Sequence, residues 1–335
     1  MKEISISLII PTHQLGLHLR KCLQSVIDFG KDIKEVIVVF DGITYNPKQF
    51  ELPPVPHLSI LELAKNQGPS YARNYGARQA SGNILLFLDS DVLLLTDTIQ
   101  KVKNHFEQPD TSEALIGSYD NAPTEKDLIS KHRNLLHHFT HQTAHGQTSS
   151  FWGACGAIRK EIFELSGGFD TSYIQASIED IELGYRLVDQ GYQIRLNKAL
   201  QIRHLKRWSL LNMIQTDVNQ RARPWTKLLL QRKKLGCQEL NLSNQERLAT
   251  LLLLMGLNSL IASFFWEAAI LSTIFSFMSL FLIKRKIYHF YTSQFKLVQL
   301  PLVIILHWIY LLCAFTGFVL GTYEYLVRIN SLNYK

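Results

Sequence analysis

The stretch Phe87-Leu88-Asp89-Ser90-Asp91-Val92 closes an apolar run, Ile84 to Leu88, with two aspartates one residue apart. A short continuous apolar run is typical of a strand buried on both faces of a parallel sheet. Two carboxylates at the end of such a strand can hold a hard divalent cation, while phosphate oxygens complete its coordination. Short acidic turns after strands are also common and usually solvated. The function of the pair therefore depends on the motifs around it.

Three further apolar runs precede this strand, and each ends in polar or glycine residues. They are Ser5 to Ile10, Val36 to Phe40 and Ser59 to Leu63. Leu15 to Ile27 and Gly68 to Ala80 have helical spacing between them. Strands that alternate with helices predict an α/β fold with a parallel sheet and helices on both faces. Ligands bind such sheets at the carboxyl ends of the strands, so Thr12, Asp41 and the Asp89–Asp91 pair are expected to meet at one edge.

The apolar residues of this 335-residue chain are unevenly distributed. From Leu248 to Ile283 the only charged residue is Glu267, and from Leu297 to Val327 it is Glu324. The earlier sequence has a mixed, polar composition. This pattern predicts a globular domain at about 1–235, followed by a membrane domain at about 247–327 that consists of transmembrane helices.

Residues 248–283 are too long for one ordinary span and long enough for two short ones. We expect spans at about 248–264, 267–283 and 300–320. Lys284, Arg285 and Lys286 stop the second span, so the positive-inside rule places both ends of the hairpin in the cytosol. The alternative is a single long, buried or tilted helix over 248–283.

The formal charge of +7 is concentrated just before the first predicted span. Residues 205–235 combine many Lys and Arg residues with Trp208, Trp225 and apolar residues at helical spacing. This composition predicts amphipathic helices at an anionic headgroup surface. Nucleic acid is a weaker explanation of the basic patch, because the adjoining apolar segments already account for it.

The N-terminus has no predicted signal peptide, because the apolar run from Ile4 to Ile10 is closed by Pro11. We therefore expect a multi-pass protein of the cell inner (plasma) membrane with its globular domain in the cytoplasm. The four cysteines lack a CxxC pair and imply neither a disulfide framework nor a zinc site. They are Cys22, Cys155, Cys237 and Cys313.

Six motifs in order resemble the family 2 glycosyltransferases of the GT-A fold, of the membrane-anchored bacterial type. They are SLIIPTHQ, VIVVFDG, NQGPSYARNYGARQASG, FLDSDV, FWGACGAIRKEIFELSGGFD and SIEDIELGYRL, within about Ser5 to Leu230. The resemblance implies a nucleotide-diphospho-sugar transferase domain with a Rossmann-like fold, a nucleotide-sugar donor and Mg or Mn as cofactor.

The resemblance also assigns donor-side residues. Asp41 matches the acid that contacts the nucleotide base or ribose, and Arg73 matches a position near the nucleotide. Asp89 matches the donor-side acid, and Asp91 matches the ligand of the metal that binds the diphosphate. His204 resembles a histidine that completes the metal shell, although a lone histidine is more often satisfied within the fold. With Thr12, these residues form the predicted donor and metal site.

Glu179 and Asp180 are the candidates for acceptor activation. They match the Glu-Asp motif of the family, in which the aspartate is the general base that removes the acceptor proton. Two acids at a helix N-terminus also have a structural explanation, since they interact favourably with the helix dipole. Trp152 and Gly153 belong to a segment rich in small residues that lines the acceptor pocket in this family.

Other histidines and one departure from the family bear on function. His137, His141 and His145 recur every four residues. A zinc site there would need additional acid or cysteine ligands, which the surrounding sequence lacks. A polar helix near the acceptor cleft is the better explanation. Pro224 interrupts the Gln-x-x-Arg-Trp pattern of processive members. We therefore expect transfer of a single sugar rather than polymer extrusion.

These observations predict an inverting, metal-dependent glycosyltransferase that acts on a membrane lipid or a lipid-linked acceptor. One alternative is a polyprenyl-phosphate glycosyl synthase, whose acceptor phosphate needs no strong base. Another is a membrane scaffold that has lost catalysis. Damage at Asp89, Asp91 or Asp180 would indicate such a scaffold, and all three carboxylates are present.

Overall fold

The computed structural model describes residues 3–109, 111–236 and 240–333, with side chains to residue 328. Cys237 lies outside the described residues. The chain divides into two compact units, Met1–Arg207 and Trp208–Lys335. Composition alone predicts a boundary near residue 235. The amphipathic helices that follow Trp208 are in the second unit because they pack on its long C-terminal helix.

The first unit is built around one mixed sheet. Its strands are β1 Ile6–Thr12, β2 Ile33–Asp41, β3 Leu58–Leu63, β4 Ile84–Leu88, β5 Val92–Leu94, β6 Ala114–Tyr119, β7 Gln147–Thr148, β8 Cys155–Arg159 and β9 Ile194–His204. The order across the sheet is β3-β2-β1-β4-β8-β6-β9-β5, and β7 pairs with β9.

Six helices accompany these strands in the first unit's described part. They are α1 Leu17–Phe29, α2 Pro69–Gln79, α3 Thr98–Glu107, α4 Leu128–Thr143, α5 Lys160–Leu165 and α6 Glu179–Asp189. Strands and helices alternate as the sequence predicts, and the α/β class is confirmed. α6 begins at the Glu-Asp pair and ends two residues before Gly191.

The sheet is mixed, with parallel pairs at β1–β4 and again between β6 and β9. β1 pairs in parallel with β2 and with β4, and β2 pairs in parallel with β3. β8 is antiparallel to both β4 and β6. The prediction of a parallel sheet therefore holds for β1–β4 and for the β6–β9 pair. It is wrong for β8, which the chain reaches only after a long excursion through β5, α3, β6, α4 and β7 and which runs in the opposite direction to its neighbours. β8 brings the segment that precedes it beside the carboxyl end of β4.

A cluster of aromatic side chains packs against the carboxyl end of β4. Phe87 of β4 contacts Phe151, Phe163 and Phe169, with ring centroids 6.2, 5.2 and 5.1 Å apart. Buried aromatic rings contribute large apolar areas and prefer tilted or edge-to-face contacts like these. The cluster ties the segments before β8 and before α6 to the strand that carries the two aspartates.

The second unit is helical. Its elements are α7 Leu210–Gln215, a π-helical turn Thr216–Ala222, α8 Arg223–Gln231, α9 Asn244–Ala262, α10 Ala269–Ile283, α11 Arg285–Gln294 and α12 Leu300–Asn333. Residues 248–283 form two helices that pack against each other, and not one long helix. Among the described helices, only the one over Leu297–Arg328 is long and apolar enough to cross a membrane; α10 is apolar but has 15 residues.

Candidate active site

Arg73 joins two carboxylates from distant parts of the chain. Nη2 lies 2.8 Å from Oδ1 of Asp89 after β4, and Nη1 lies 2.9 Å from Oε1 of Glu179 at the start of α6. Arg73 and Glu179 are buried, whereas the Asp89 side chain is one-third exposed. Burial opposes the charged guanidinium, but Asp89, Glu179 and Asp180 outweigh burial and raise the pKa of Arg73. The arginine therefore stays charged and holds both acids in place.

The site leaves little room around this guanidinium. A Cβ added to Gly153 would lie 3.0 Å from Cζ and Nη2 of Arg73, tighter than ordinary contact. The guanidinium also lies 5.3 Å from the ring centre of Phe169, a favourable cation–π distance. Gly153 is therefore needed for space, because its missing side chain admits the arginine.

Asp180 is held by backbone groups on both sides of its carboxylate. Oδ2 accepts a hydrogen bond of 3.0 Å from the Gly153 amide, and Oδ1 accepts one of 2.8 Å from Ile181. The side chain is half-buried. Neighbouring Glu179 accepts from the amide of Ser177 at 2.8 Å as well as from Arg73. The predicted base, its acidic neighbour and the predicted pocket residue Gly153 thus lie together.

Asp91 and His204 face each other across the pairing of β5 with β9. Oδ2 of Asp91 lies 3.6 Å from Nε2 of His204. Burial alone would raise the pKa of Asp91, but the hydrogen bond and charge of His204, with Lys206 and His18, lower it. These cationic or protonatable groups surround the carboxylate that the sequence predicts as a metal ligand. His18 and Lys206 were missed by sequence reasoning, because no motif marks them.

The two aspartates differ in their electrostatic setting. Burial raises the pKa of Asp89, and the charges of Asp91 and Glu179 add to this effect, while Arg73 opposes it. Asp91 instead has a lowered pKa. Like charges close together favour one protonated and one ionised carboxyl group. A bound cation would favour the ionised form of both.

The residues present fit a divalent cation that shares its ligands with a substrate. No cluster of three or more His, Cys, Asp or Glu side chains forms a complete metal site in the part of the chain that the structure describes. Asp91 and His204 supply one oxygen and one nitrogen within a few ångströms of each other. Mg²⁺ and Mn²⁺ sites in phosphate-handling proteins often use one or two side chains and take the remaining ligands from phosphates and water.

Thr12 and Asp41 end β1 and β2 at the same sheet edge. Both oxygens of Asp41 accept backbone hydrogen bonds, from Gln67 at 2.7 Å and from Gly68 at 2.8 Å. The hydroxyl of Thr12 donates to the carbonyl of Gln14 at 2.8 Å. Asp41 therefore holds the loop that precedes α2 and Arg73.

Trp152 and two histidines of α4, His137 and His141, lie in a cluster of tilted and edge-to-face rings. The Trp152 ring centre is 4.9 Å from those of Tyr119 and His137, and Tyr119 stacks on His204 at 4.5 Å with 13° between the planes. His141 hydrogen-bonds the carbonyl of Gly117 at 3.0 Å. The histidines of α4 thus pack this helix onto β6. Tyr119, which orients the ring of His204, had no sequence signal.

Asn74 holds the loop before α6. Its amide donates to the carbonyl of Phe169 and accepts from the Phe169 amide, both at 2.8 Å. Gly168 has φ +70°, and an added Cβ would lie 2.6 Å from Oδ1 of Asn74. Asn74 follows Arg73 on α2. The same helix therefore positions the arginine between Asp89 and Glu179 and the Phe169 loop that precedes α6. The YARN motif contains this residue, but its partner could not be found from sequence.

A Rossmann-like sheet with an acidic pair at the end of one strand and a Glu-Asp helix beside it defines the GT-A class of nucleotide-diphospho-sugar transferases. Residues 7–166 match the family model described as "Glycosyl transferase family 2". Residues 7–166 therefore form a family 2 glycosyltransferase domain, as the motifs predict.

Two relatives described as glycosyltransferases agree with this assignment. The chain is 25% identical over 219 residues to glycosyltransferase GlyA of Streptococcus pneumoniae, covering 61% of this chain and 31% of the relative. It is 24% identical over 222 residues to the pre-mycofactocin glycosyltransferase of Mycobacterium tuberculosis, covering 62% and 44%. The chain therefore spans less than half the length of either relative.

One solved structure covers nearly the whole chain. The mannosyltransferase PcManGT from Pyrobaculum calidifontis, in complex with GDP-Man and Mn²⁺, superposes with a TM-score of 0.54 at 16% identity. The match covers 94% of this chain and 87% of that one. At this identity the likeness shows the shared fold.

Proposed function

We propose that this chain is an inverting, metal-dependent glycosyltransferase that moves one sugar from a nucleotide-sugar donor to a membrane-associated, lipid-linked acceptor. The observation that carries the proposal is the bridge from Asp89 through Arg73 to Glu179, beside Asp180. This bridge connects the strand end that would face the donor with the helix start that would face the acceptor. The family 2 glycosyltransferase domain supports the same reaction class.

Asp180 is the proposed general base. Its carboxylate is held by the amides of Gly153 and Ile181, so it is oriented before any substrate binds. It would take the proton of the acceptor hydroxyl as that oxygen attacks the anomeric carbon from the face opposite the leaving diphosphate. A single displacement of this kind inverts the anomeric configuration. Positioning and proton removal together supply much of the rate enhancement in such reactions.

Asp91 and His204 are the proposed protein ligands of a divalent cation, Mg²⁺ or Mn²⁺. When bound, the cation would stabilise the negative charge of the departing diphosphate as a Lewis acid. His18 and Lys206 add positive charge around Asp91. Asp89, tied to Arg73, lies on the donor side. Mn²⁺ in the Pyrobaculum mannosyltransferase structure supports a cation at this kind of site.

The proposed donor is a nucleoside diphosphate sugar, because a cation held by Asp91 and His204 would stabilise the charge of a diphosphate. Thr12 and Asp41, at the ends of β1 and β2, are proposed to lie against the nucleoside. Trp152 and Gly153 are proposed to line the acceptor side, since Gly153 bonds directly to Asp180. Nucleic acid is not a proposed partner.

A membrane acceptor is proposed from the second unit. The second unit begins at Trp208, four residues after His204. It contains a basic segment and the apolar helices α9, α10 and α12. One of these helices is long and apolar enough to span a membrane, which is a weak indication of membrane association. The predicted multi-pass arrangement is not part of the proposal, because α10 falls short of the length of a span.

The proposal is tested with the detergent-purified chain and a panel of UDP- and GDP-sugars, with Mn²⁺, with Mg²⁺ and with chelator. We expect one donor to bind only with metal. Asp180→Asn should bind that donor normally and lose at least about 100-fold in turnover. Asp32→Asn, an exposed carboxylate in the first unit, is the matched control.

The outcomes separate the alternatives. Near-normal turnover of Asp180→Asn would point to a phosphate nucleophile, as in a polyprenyl-phosphate glycosyl synthase, and would exclude the base. Failure of every donor to bind would overturn the transferase proposal and favour a scaffold.

A further inference from the structure

The middle of α12 lies beside the charged end of the α9–α10 hairpin. Leu311 is buried in a cluster that includes Ala249 and Leu280. Glu246 and Lys284 form an ion pair at the open end of the hairpin. They are three and four residues from Ala249 and Leu280, which is about 6 Å or less along the helix axes. Leu311 of α12 therefore lies at about the same height along the helices as the Glu246–Lys284 ion pair.

A second charged cluster lies near the C-terminal end of α12. Glu324 forms ion pairs with Arg223 and Lys227 of α8, the latter at 3.0 Å. α8 packs closely here, since a Cβ added to Gly321 would lie 2.6 Å from the carbonyl oxygen of Arg223. The amphipathic α8 therefore lies against the C-terminal part of α12, while the hairpin base lies against its middle.

These two clusters conflict with α12 as a membrane span. If Leu311 were at the centre of a hydrocarbon core of about 30 Å, the Glu246–Lys284 pair would be near the centre as well. If Leu311 were at one boundary, neither Leu297 nor Glu324, each about 20 Å away along the helix, would reach the other boundary. If α12 extended into the membrane from Leu311 towards Glu324, then Glu324 and its partners would also be buried in lipid, where each charge is costly.

The exposed residues of α12 support a different placement. Large exposed apolar side chains recur at helical spacing on one face along most of its length. They include Leu302, Ile305, Phe315, Val319 and Leu326. The opposite face, with Leu311, Gly317 and Gly321, packs on other helices of the unit. A helix with one apolar face free along its length suits the plane of a membrane surface.

The hairpin is suited to enter one leaflet without crossing the bilayer. The 15 residues of α10 span about 22 Å, which is less than the hydrocarbon core. At the hairpin tip Phe264 is 82% exposed and Phe265 is 90% exposed, with Trp266 beside them. Arg285 and Lys286 are exposed at the other end. The hairpin thus has a charged base and an aromatic tip, at which the exposed Glu267 follows Trp266.

We propose that the second unit is monotopic: α8 and α12 lie along the surface of one leaflet of an anionic bilayer, and the α9–α10 hairpin dips into the hydrocarbon without crossing it. Lipid is the occupant that matches both the aromatic tip and the basic residues. Insertion of the tip requires Glu267 to be protonated, because an ionised carboxylate is costly in hydrocarbon. The basic residues include Arg221, Lys233, Arg285, Lys286 and Lys296. This inference does not depend on the proposed glycosyl transfer.

Single cysteines in the full chain test the arrangement. Lys296→Cys and Arg328→Cys mark the two ends of α12, Phe265→Cys marks the hairpin tip, and Lys286→Cys marks the open end. Each is treated with a membrane-impermeant maleimide in right-side-out and in inverted membrane vesicles, and then in detergent. The parent chain gives the background. That background is low for Cys22 and Cys155, because burial raises the pKa of both thiols, that of Cys155 to about 12.

We expect Lys286→Cys, Lys296→Cys and Arg328→Cys to react from the same side, and Phe265→Cys to react only in detergent. Reaction of the two α12 ends from opposite sides would show a transmembrane α12 and overturn the proposal. Reaction of Phe265→Cys before detergent would overturn the inserted hairpin, and so would protection of both α12 ends from either side.

A second measurement keeps the proposal independent of labelling chemistry. Serine at Phe264, Phe265 and Trp266 together should weaken partitioning of the purified chain onto phosphatidylethanolamine–phosphatidylglycerol vesicles by at least about tenfold, because three large, exposed apolar side chains at the tip are lost. Leu165→Ser, which removes an exposed apolar side chain of the first unit, is the control. Unchanged partitioning of the triple variant would contradict the insertion of the tip.

Discussion

Nη1 of Arg73 lies 2.9 Å from Oε1 of Glu179, although 106 residues separate them in the chain. The same guanidinium is 2.8 Å from Asp89. It therefore neutralises one acid at the proposed donor side and one beside the proposed base. The Arg73 side chain is therefore needed both for the stability of the buried acids and for their positions in the site.

Replacement of Arg73 by Ala should destabilise the protein. Removal of one partner leaves the buried Glu179 without its cation, which typically costs about 3–5 kcal/mol. Arg73→Lys should recover only part of this, since an ammonium cannot bridge two carboxylates in the fork geometry of arginine. Urea unfolding of the detergent-purified chain measures the change. Arg78→Ala, on the exposed side of α2, should be nearly neutral, and an equal loss there would contradict the assignment.

Gly153→Ala should impair turnover more than folding. The new Cβ would lie 3.0 Å from Cζ of Arg73 and would disturb the amide that binds Asp180. Small displacements of this kind can cost about 100-fold in rate. Turnover with saturating donor, compared with urea stability, separates the two effects. Gly146→Ala is the matched control, because nothing lies within 4 Å of its Cβ position. Wild-type turnover of Gly153→Ala would remove Gly153 from the site.

Tyr119→Leu should weaken metal binding. The tyrosine ring stacks on His204 at 4.5 Å and fixes the direction of Nε2 towards Asp91. Residues that orient a metal ligand commonly contribute about 10- to 100-fold in affinity. Titration of Mn²⁺ in the presence of nucleoside diphosphate, followed by electron paramagnetic resonance, measures the loss. Tyr119→Phe keeps the ring and should bind Mn²⁺ almost normally; equal binding by the Leu variant would exclude a role for stacking.

Glu35→Gln should lower stability at neutral pH and have little effect in acid. The Glu35 carboxylate accepts hydrogen bonds from the Ser7 hydroxyl at 2.6 Å and from the Ser81 amide at 2.6 Å. Burial alone would raise the pKa of Glu35, but these hydrogen bonds lower it below the usual 4.5. A carboxylate with a lowered pKa stabilises the fold above its unfolded pKa, and this contribution is lost as the pH falls through the folded value.

The difference between wild type and Glu35→Gln should therefore be about 1 kcal/mol at pH 7 and should shrink as the pH falls through the lowered pKa of Glu35. Urea unfolding at a series of pH values measures it. Glu51→Gln, at an exposed position, should show no such pH-dependent difference. A constant difference for Glu35→Gln down to pH 3 would mean that the lost interaction is one of packing rather than charge.

The amino-acid sequence alone determined the class of the first unit and the ends of its main elements. Apolar periodicity is a local property, so β4 and α6 were predicted at nearly the observed residues, and the motifs placed Asp89, Asp91 and Asp180 at their ends. The apolar content of residues 248–283 likewise predicted a helical hairpin. Each of these features depends on residues close together in the chain.

Only the tertiary structure decided which of these residues meet. The antiparallel β8 inserts beside β4, and this sheet order brings Gly153 to Asp180 and leaves the space that Arg73 fills. Tyr119 and Lys206 approach His204 and Asp91 for the same reason. In the second unit, the ion pairs of Glu246 and Glu324 place charge along a helix that composition alone marks as a span. Such contacts depend on how distant segments pack, and hydrophobic periodicity carries no information about them.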